Sequence, residues 1–494
     1  MSKKKMNKPD LSSDKLSDED IWSTIESYFE EQHLRRAVRH QIESYDYFTT
    51  HQIQETINMF NPVTIHSEQD YSPENDKYLL EIIITFGNFH IYRPQIHENN
   101  GATKLMFPQE ARNRNFTYST RMTIDMNIQI VRNFGEELKQ QRTFYKTLKK
   151  IHIGKLPIML KSKICVLSQF NHLNNDLTGE CKYDAGGYFI INGSEKTVIA
   201  QERAAENKVY CFNIKKNNNK WSWLAEIKSI PDGKCISPKQ INIVISSKNS
   251  GFGHPLYIQI PRIKHDIPIF IVFRALGIIS DKDICEIILL NIGDESKNLL
   301  YRLKASIIEA NNITDKQSAL DYINTYAMYT PINMEKEKGA RKKMEFTTNV
   351  IENDLYPHCD TKQRKIYFLG FMISELIKTS MGLRPIDDRD SYANKRIDLN
   401  GSLLNNLFRN YFNKLVKDMN KQVVREINNG SWKSKENYMN IINHTNIYKI
   451  VKSTTIENGI KRALATGDFG IKNTNSNKVG VAQVLNRLTY VSSL

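Results

Sequence analysis

Carboxylates are the residues whose spacing most clearly suggests chemistry in this 494-residue chain. The string Asp387–Asp390 carries three of them within four positions, and clustered carboxylate oxygens can bind Mg²⁺. Cations flank the string, namely Arg384, Arg389, Lys395 and Arg396. The alternative is therefore an ion-paired structural turn, in which Arg389, Lys395 and Arg396 balance the negative charge. We favour this structural interpretation over a metal site.

Other reactive residue types are scattered along the sequence. His358 and Cys359 are adjacent, but no second Cys or His follows at the spacing of metal ligands, which favours an ordinary loop. The six cysteines form no CxxC pair, a pattern typical of reduced packing residues in an intracellular protein. The sequence has no Walker loop, HExxH, GxSxG or GxGxxG. Familiar catalytic motifs do not explain this chain.

The charge balance points to the kind of partner. Lys and Arg number 69 against 54 Asp and Glu, a formal net charge of +15. Such an excess favours a polyanionic partner, although a merely well-solvated surface is the alternative. The most apolar stretch, Ile267–Ile279, is too short to span a bilayer and contains Arg274, so no membrane partner is expected.

The N-terminal part of the chain predicts one helix and two hairpins. A helix begins near Ser17, which has capping-box spacing to Asp20, and its apolar face of Ile21, Ile25 and Phe29 should pack against the protein.

Both hairpins are predicted from short glycine-containing turns. The first turns at Gly87-Asn88 between two apolar runs, and the second turns at Asn192–Ser194 between Gly187–Ile191 and Thr197–Ala200. Residues that adopt positive φ easily are the reason for both predictions.

The local sequence pattern changes near residue 206, after which a polar loop, short β-like runs and then helical patterns follow. We therefore place a domain boundary there. The most regular helix begins after Gly401 and ends near Gly430, with apolar residues at three- and four-residue spacing. Its opposite face carries Arg409, Lys414, Lys417, Lys421 and Arg425. A solvated helix face is the favoured interpretation of these cations, and a stripe facing nucleic acid is the alternative.

Several strings, taken together and in order, match one protein family. They are Phe107–Tyr118, Gly154–Leu160, Gly186–Asn207, Asp266–Ile269 leading into Phe273–Ile278, Asp387–Leu404, Ala463–Gly467 and Val479–Leu494. The chain resembles the N-terminal half of the second-largest subunit of multisubunit DNA-dependent RNA polymerases, of the eukaryotic nuclear type. The resemblance covers nearly everything after residue 20.

The resemblance implies an α+β, multidomain fold in which a protrusion contains an inserted lobe and is followed by the start of the fork. The implied boundaries are a disordered basic tail at 1–19, protrusion at 20–205, lobe at 206–394, returning protrusion at 395–455 and incomplete fork at 456–494. In this family, lobe and protrusion form one wall of the DNA cleft, and the fork touches the DNA–RNA hybrid. A net positive charge fits this role, because phosphate contacts grip any sequence.

The family also suggests nucleic-acid-binding positions on this chain. A helix beginning near Thr454 carries Lys461 and Arg462, which resemble hybrid-contacting positions. The remaining candidates are Lys472, Lys478, Gln483, Asn486 and Arg487. Neutral Gln and Asn side chains can hydrogen-bond to sugars and phosphates, and an Arg can form bidentate pairs with phosphate.

The implied partners are the DNA template, the DNA–RNA hybrid, the largest polymerase subunit and the missing C-terminal part of the second-largest subunit. Family members continue well beyond the motif in which this chain ends, so a divided gene, an intron or intein, or a truncated reading frame are open explanations. No cofactor is expected in this chain, because the Mg²⁺ of the assembled polymerase is held mainly by the largest subunit. Alone, the chain should be catalytically inactive.

The expected location is intracellular. It is a nucleus, or, if the source is a large DNA virus of eukaryotes, a cytoplasmic viral factory or the virion. The alternative function is a relic or decoy fragment that binds nucleic acid or polymerase partners without catalysis.

Overall fold

The chain divides into two compact units. Unit 1 comprises Met1–Gln201 and Ile397–Leu494, and unit 2 comprises Glu202–Arg396. The computed structural model describes residues 17–30, 35–72, 77–135, 138–170, 178–181, 183–214, 220–231, 238–290, 297–330, 336–429, 432, 437–470 and 478–493.

Helices and strands alternate irregularly, so the fold mixes α and β structure, as expected. The helices are α1 (Asp18–Glu30), α2 (Arg35–Tyr47), α3 (Ile53–Met59), α4 (Pro108–Asn113), α5 (Val166–Gln169), α6 (Ile269–Ala275), α7 (Asp281–Leu289), α8 (Lys297–Glu309), α9 (Lys316–Thr325), α10 (Lys336–Asn349), α11 (Lys362–Ser380), α12 (Asn400–Asn429), α13 (Ile447–Ile450), α14 (Thr454–Thr466) and α15 (Tyr490–Ser493). The strands are β1 (Val63–His66), β2 (Tyr71–Ser72), β3 (Lys77–Tyr78), β4 (Leu80–Ile91), β5 (Gln95–His97), β6 (Thr103–Leu105), β7 (Ser119–Phe134), β8 (Gln140–Pro157), β9 (Phe189–Ile191), β10 (Ser194–Val198), β11 (Gln201–Ala204), β12 (Tyr210–Asn213), β13 (Trp221–Ser229), β14 (Lys239–Ser246), β15 (Leu256–Gln259), β16 (Ile267–Pro268), β17 (Lys395–Asp398) and β18 (Ala482–Val484).

An antiparallel sheet with the order β1-β4-β7-β8 forms the frame of unit 1. From Leu80 to Phe86 every second residue of β4, including Ile82 and Ile84, is buried, whereas the residues between them are partly exposed. This period of two places one face of the sheet on the core. The long helix α12 contributes Phe408 and Phe412 to the same core. The sheet is therefore stabilised by a helix that is distant in sequence.

The predicted hairpin at Gly87-Asn88 is wrong. β4 runs without a turn from Leu80 to Ile91, and the register with β7 shifts between Phe86 and Phe89. The Gln54 side chain forms hydrogen bonds with the backbone at this register shift. Its Oε1 accepts from Phe89 N at 2.8 Å, and its Nε2 donates to Gly87 O at 3.1 Å. Gly and Asn therefore mark a bulge, because β7 offers hydrogen-bond partners on both sides of it.

The second predicted hairpin is confirmed. β9 and β10 pair antiparallel through a turn in which Asn192 has φ 51° and Gly193 has φ 79°. β18 then pairs with the other side of β10, giving the order β18-β10-β9. This small sheet fixes the C-terminal segment of the chain on unit 1.

The predicted long helix is also confirmed, as α12. Its buried residues recur at three- and four-residue spacing, and they are Leu403, Leu404, Leu407, Phe408, Phe412, Leu415, Val416, Met419, Val423 and Ile427. On the opposite face Lys414, Lys417, Lys421 and Arg425 are exposed, and Arg409 is partly exposed. The exposure of these cations fits the favoured interpretation, a solvated helix face.

Helix α1 begins where the sequence predicted, but its apolar face does not pack. Asp20 N donates to Ser17 Oγ at 3.2 Å, as a cap requires. Ile21 and Ile25 are nevertheless 44% and 39% exposed, and the Phe29 side chain lies outside the described part of the structure. The expectation of packing is wrong, because the periodicity of a helix does not ensure that a surface is present to cover it.

Unit 2 combines an antiparallel meander with helices. Its sheet has the order β12-β13-β14-β15-β16, and α6, α7, α9 and α11 contribute to its core. The apolar stretch noted in the sequence forms the buried helix α6, in which Arg274 is 3% exposed. Arg274 donates to the carbonyls of Ala310 and Ile313 and to Asp281 Oδ1 at 2.6 Å. Among the described residues, no helix is long and apolar enough to cross a membrane.

Candidate nucleic-acid interface

Helix α14, which carries Lys461 and Arg462, begins at Thr454 as predicted and rests on β8. The contact is close, because a Cβ on Gly154 would lie 2.9 Å from Ser453 O and 3.4 Å from Glu457 N. Gly154 has φ 143°, a conformation that other residues rarely adopt. Glycine at this position therefore lets the helix sit directly against the strand.

Lys461 lines a basic groove of about 550 Å³ on unit 1. We define the basic groove by its four cations, Arg93, Arg121, Lys155 and Lys461, which share it with Tyr92, Gln95, His97, Phe116, His152 and Glu457. Arg93 follows the end of β4, whereas Arg121 and Lys155 lie on β7 and β8. Two strands, a loop and a helix thus bring four cations to one concavity.

The cations of the basic groove lack acidic partners. Throughout the described ranges, no carboxylate oxygen lies within 4.0 Å of Arg93, Arg121, Lys155 or Lys461, although Glu457 also lines the groove. Burial lowers the pKa of His152, and the positive charges of Arg121 and Lys155 lower it further, whereas a hydrogen bond to Met122 O and Glu457 act in the opposite direction. Arg121 and Lys155 therefore disfavour a further positive charge on the His152 ring.

The chain reverses after α14 so that β18 returns beside it. Gly467 ends the helix with φ 75°, and Val481 N donates to Gly467 O at 3.0 Å. Phe469 N also donates to the carbonyl of Lys478 at 2.9 Å, while the Lys478 ammonium lies 3.7 Å from Asp398 Oδ2. Lys472 lies outside the described residues. Lys478 is therefore positioned by its backbone contact with Phe469 and lies beside the carboxylate of Asp398.

Gln483 and Asn486 lie on the segment that β18 begins. Gln483 pairs with Thr197 of β10, and its exposed side chain donates to Gly480 O at 3.2 Å. Asn486 Oδ1 accepts from Leu488 N at 2.8 Å. Both side chains lie at the surface, although Asn486 also stabilises the local turn. Arg462 is exposed on α14.

Arg487 belongs to a group of compensated charges, which we call the carboxylate cluster. It consists of Arg112, Glu180, Asp184, Tyr188, Glu195 and Arg487. Arg487 Nε lies 2.7 Å from Glu195 Oε2, and its Nη2 lies 3.2 Å from Asp184 Oδ2. Arg112 lies 2.8 Å from Glu180 and 2.9 Å from Glu195. A phosphate would have to displace carboxylates to reach Arg487.

Two carboxylates of this cluster, Glu195 and Asp184, have lowered pKa values. Burial alone would raise the pKa of Glu195, but the hydrogen bonds and charges of Arg487 and Arg112 outweigh it and hold the pKa below its usual value. Burial opposes ionisation of Asp184 too, yet hydrogen bonds from the Tyr188 hydroxyl and Gly186 N, together with Arg487, lower its pKa. Each cation in the cluster therefore stabilises a partly buried anion.

The family resemblance suggested Lys461 as a nucleic-acid-binding residue but pointed to none of the other three cations of the groove. Arg93, Arg121 and Lys155 are far apart in sequence, and they meet only through the pairing register of β7 with β8 and the end of β4. No short motif joins them. Only a correct register for the long strands could have found them, and the predicted hairpin at Gly87-Asn88 would have separated Phe89–Ile91, the residues just before Arg93, from the rest of β4.

The Asp387–Asp390 string forms backbone and ion-pair contacts within unit 2. Asp387 Oδ2 accepts from Cys211 N at 2.8 Å, and Arg384 lies 3.1 Å from Asp387 Oδ1. Asp388 is exposed and accepts from Asp390 N at 2.9 Å. Within the described part of the chain, no group of three His, Cys, Asp or Glu side chains is arranged to hold a metal ion. The contacts favour the structural interpretation.

The three predicted cations form their closest contacts elsewhere, although the pKa of Lys395 is raised by Glu202 and also by the charge of Asp390. Arg389 pairs with Glu226 at 3.1 Å and Lys395 with Glu202 at 2.6 Å, while Arg396 donates to the carbonyls of Ala393 and Lys395. Nearness in sequence suggested these cations, but the strands β11 to β13 supply closer carboxylates. Asp387 is the partly buried carboxylate that links the string to Cys211 N and Arg384, whereas Asp388 is exposed and accepts a local bond from Asp390 N.

His358 and Cys359 have ordinary packing contacts. His358 Nδ1 lies 2.6 Å from Ser229 Oγ, and its ring packs edge-on against Phe368 with centroids 4.5 Å apart. Cys359 is buried, and burial raises the pKa of its thiol. These contacts agree with the favoured interpretation of an ordinary loop.

Comparison with known proteins identifies the family. The family described as RNA polymerase beta subunit matches residues 36–458. Over 497 residues the chain is 37% identical to DNA-directed RNA polymerase II subunit 2 of Arabidopsis thaliana, covering 97% of this chain and 39% of that protein. Over 493 residues it is 36% identical to DNA-directed RNA polymerase II subunit RPB2 of Schizosaccharomyces pombe, with the same two coverages.

An archaeal relative matches this chain over most of its own length. DNA-directed RNA polymerase subunit Rpo2N of Methanococcus vannielii is 30% identical over 479 residues, which are 95% of this chain and 84% of that protein. The chain spans about two fifths of the length of the eukaryotic relatives. It belongs to the RNA polymerase beta subunit family.

Proposed function

We propose that the chain works as the N-terminal part of the second-largest subunit of a DNA-directed RNA polymerase. The observation that carries the proposal is the match over 97% of this chain to polymerase II subunits, at 36 to 37% identity. In this proposal the chain forms one wall of the DNA cleft and contacts the DNA–RNA hybrid. Transcription of any template needs sequence-independent phosphate contacts, and the formal charge of +15 suits them.

The domain assignment is part of the same proposal. We assign the protrusion to 20–205 and 395–455, the lobe to 206–394 and the start of the fork to 456–494. Gln201/Glu202 and Arg396/Ile397, where the two compact units divide, lie close to these boundaries.

Lys461, Arg462, Lys472, Lys478, Gln483, Asn486 and Arg487 are the proposed nucleic-acid-binding residues. Lys461 has the strongest support, because it lines the basic groove and has no carboxylate partner within the described residues. Arg462 is supported by its exposure on the same helix. Arg487 has the weakest support, because Glu195 and Asp184 already bind its guanidinium.

The proposed partners are the DNA template, the hybrid, the largest subunit and the remainder of the second-largest subunit. Mg²⁺ belongs to the assembled enzyme, and we derive no catalytic step from residues of this chain. The proposed place of work is the intracellular site of transcription, in a nucleus or in a cytoplasmic viral factory.

Reconstitution tests the proposal. The chain is co-expressed with the remainder of the second-largest subunit and with the largest subunit, and RNA synthesis is measured on a primed RNA–DNA scaffold. We expect incorporation by the assembly, none by the purified chain, and reduced incorporation with Lys461→Ala. Lys417→Ala, on the exposed face of α12, is the matched control and should leave incorporation unchanged.

The relic or decoy function makes a different prediction. A chain that binds oligonucleotides but fails to co-purify with either polymerase partner would favour it. Template-dependent synthesis by the purified chain alone would contradict both functions.

A further inference from the structure

Two cations of the basic groove face each other directly across a strand pair. Arg121 on β7 is the register partner of Lys155 on β8. Side chains in such a pair are close neighbours on one face of the sheet, and like charges placed opposite each other are destabilising. Within the described residues no carboxylate lies within 4.0 Å of either side chain. The pair has a cost to stability that a bound anion would remove.

The other two cations extend the positive surface on both sides of this pair. Tyr92 N donates to Arg121 O at 3.2 Å, which fixes Arg93 beside the end of β7. Lys461 enters from α14, whose first turn is seated on Gly154, next to Lys155. Cations from β7, β8, α14 and the loop after β4 therefore line one concavity, where they can contact the phosphates of a bound strand.

The size and lining of the groove favour an unpaired strand. A volume of about 550 Å³ falls in the range of small-ligand pockets, roughly 300 to 1,000 Å³, and is too small to enclose a duplex. Tyr92 lines the groove with 36% of its surface exposed, and Phe116 lines it as well. Phe116 is partly buried against the core, so Tyr92 is the exposed ring of this pair. An exposed aromatic ring beside several cations is typical of single-strand binding, because every base can stack on it.

We propose that the basic groove binds single-stranded nucleic acid, with its phosphates between Arg93, Arg121, Lys155 and Lys461. This inference rests on the proposed function for the presence of nucleic acid, and it adds which strand form the chain holds and where. An acidic protein segment is the competing occupant. The aromatic lining favours nucleic acid over such a segment.

Binding of a fluorescent oligothymidylate to the full chain tests the proposal. The groove variant carries Arg93→Gln, Arg121→Gln and Lys155→Gln. The control variant carries Lys417→Gln, Lys421→Gln and Arg425→Gln on the exposed face of α12, so that both lose the same charge. Affinity is measured at several salt concentrations with the single strand, with a duplex of the same length and with polyglutamate as competitor.

We expect the groove variant to bind the single strand at least tenfold more weakly, with a slope of log affinity against log salt that is smaller by about 2, since each lost phosphate contact removes about 0.7. The control variant should stay within twofold of the wild type, with an unchanged slope. Equal losses in both variants, equal affinity for the duplex, or displacement by polyglutamate at matched charge would each overturn the proposal.

A stability measurement adds a second readout. Arg121→Gln alone should raise the urea midpoint of the free chain, because it removes the like-charge pair, although it weakens binding. A lower midpoint would mean that Arg121 stabilises the fold, which would overturn the like-charge argument for an anion between Arg121 and Lys155. The outcome is separable from the proposed function, since a groove that fails this test leaves co-purification and RNA synthesis in the reconstituted assembly unaffected.

Discussion

Two groups of cations on unit 1 have opposite surroundings. In the carboxylate cluster, Arg112 and Arg487 lie within 3.2 Å of carboxylate oxygens from Glu180, Asp184 and Glu195. In the basic groove, Arg121 has a lysine as its register partner. The first arrangement stabilises the free chain, whereas the second costs stability until an anion binds. The residue type does not distinguish the two groups, because both contain arginines.

This difference separates structural cations from binding cations by a physical criterion. A guanidinium that already has its hydrogen bonds satisfied gains little from a phosphate, because it must first lose a carboxylate. A cation without an acidic neighbour gains the whole interaction. The criterion lowers the expected contribution of Arg487 to nucleic-acid binding and raises that of Lys461.

The largest effect should come from replacing a cation of the carboxylate cluster. Arg112→Met leaves Glu180 and Glu195, whose side chains are 8% and 17% exposed, without their shared partner. We expect the free energy of unfolding to fall by about 3 kcal/mol, as when one partner of a buried ion pair is removed. Urea unfolding measures it. Arg121→Met is the matched control and should not lower the free energy of unfolding. Similar decreases in the two variants would show that the two groups of cations do not differ in their contribution to stability.

A smaller effect should appear as acid sensitivity of the same cluster. The pKa of Glu195 is lowered in the folded chain, below the unfolded value of about 4.3. Its ionisation therefore contributes stability that is fully present above that value and is lost as pH falls through the folded-state pKa. Glu195→Gln should be less stable than the wild type at pH 7, by about 1 kcal/mol.

The two proteins should converge in stability as pH falls below about 4, since the wild-type carboxylate then becomes neutral as well. Urea midpoints between pH 2.5 and 7 give the comparison. A difference that stays constant over this range would mean that the charge of Glu195 has no part in the stability of the cluster.

The smallest expected effect concerns the electrostatic potential of the groove. His152 has a pKa lowered by burial and by Arg121 and Lys155. Arg121→Gln should raise this pKa, and saturating oligothymidylate should raise it in the wild type, since both reduce the positive potential at the imidazole. Titration of the His152 ring by NMR measures both shifts. An unchanged pKa in both cases would show that the charges are screened there.

Local patterns predicted the elements that are stabilised locally. The second hairpin and the ends of α12 follow from Asn192-Gly193 and from a repeating apolar stripe, so they were predicted correctly. The turn at Gly87-Asn88 was not, because β7 and Gln54 supply hydrogen bonds that no local pattern contains. For the same reason the partners of Arg389 and Lys395 came from other strands. Tertiary pairing, rather than residue type, decided each of these cases.

The placement of unit 2 within the chain of unit 1 has a consequence for synthesis on the ribosome. The inner face of the β1-β4-β7-β8 sheet is made before residue 201, but α12, which buries it, follows only after Arg396. Translation proceeds at roughly 5 to 20 residues per second. All of unit 2 is therefore translated before α12 can cover this apolar face. Unit 2 is contiguous and can complete its own core during that interval. The nascent chain should therefore require a chaperone most strongly between the emergence of β8 and the emergence of α12.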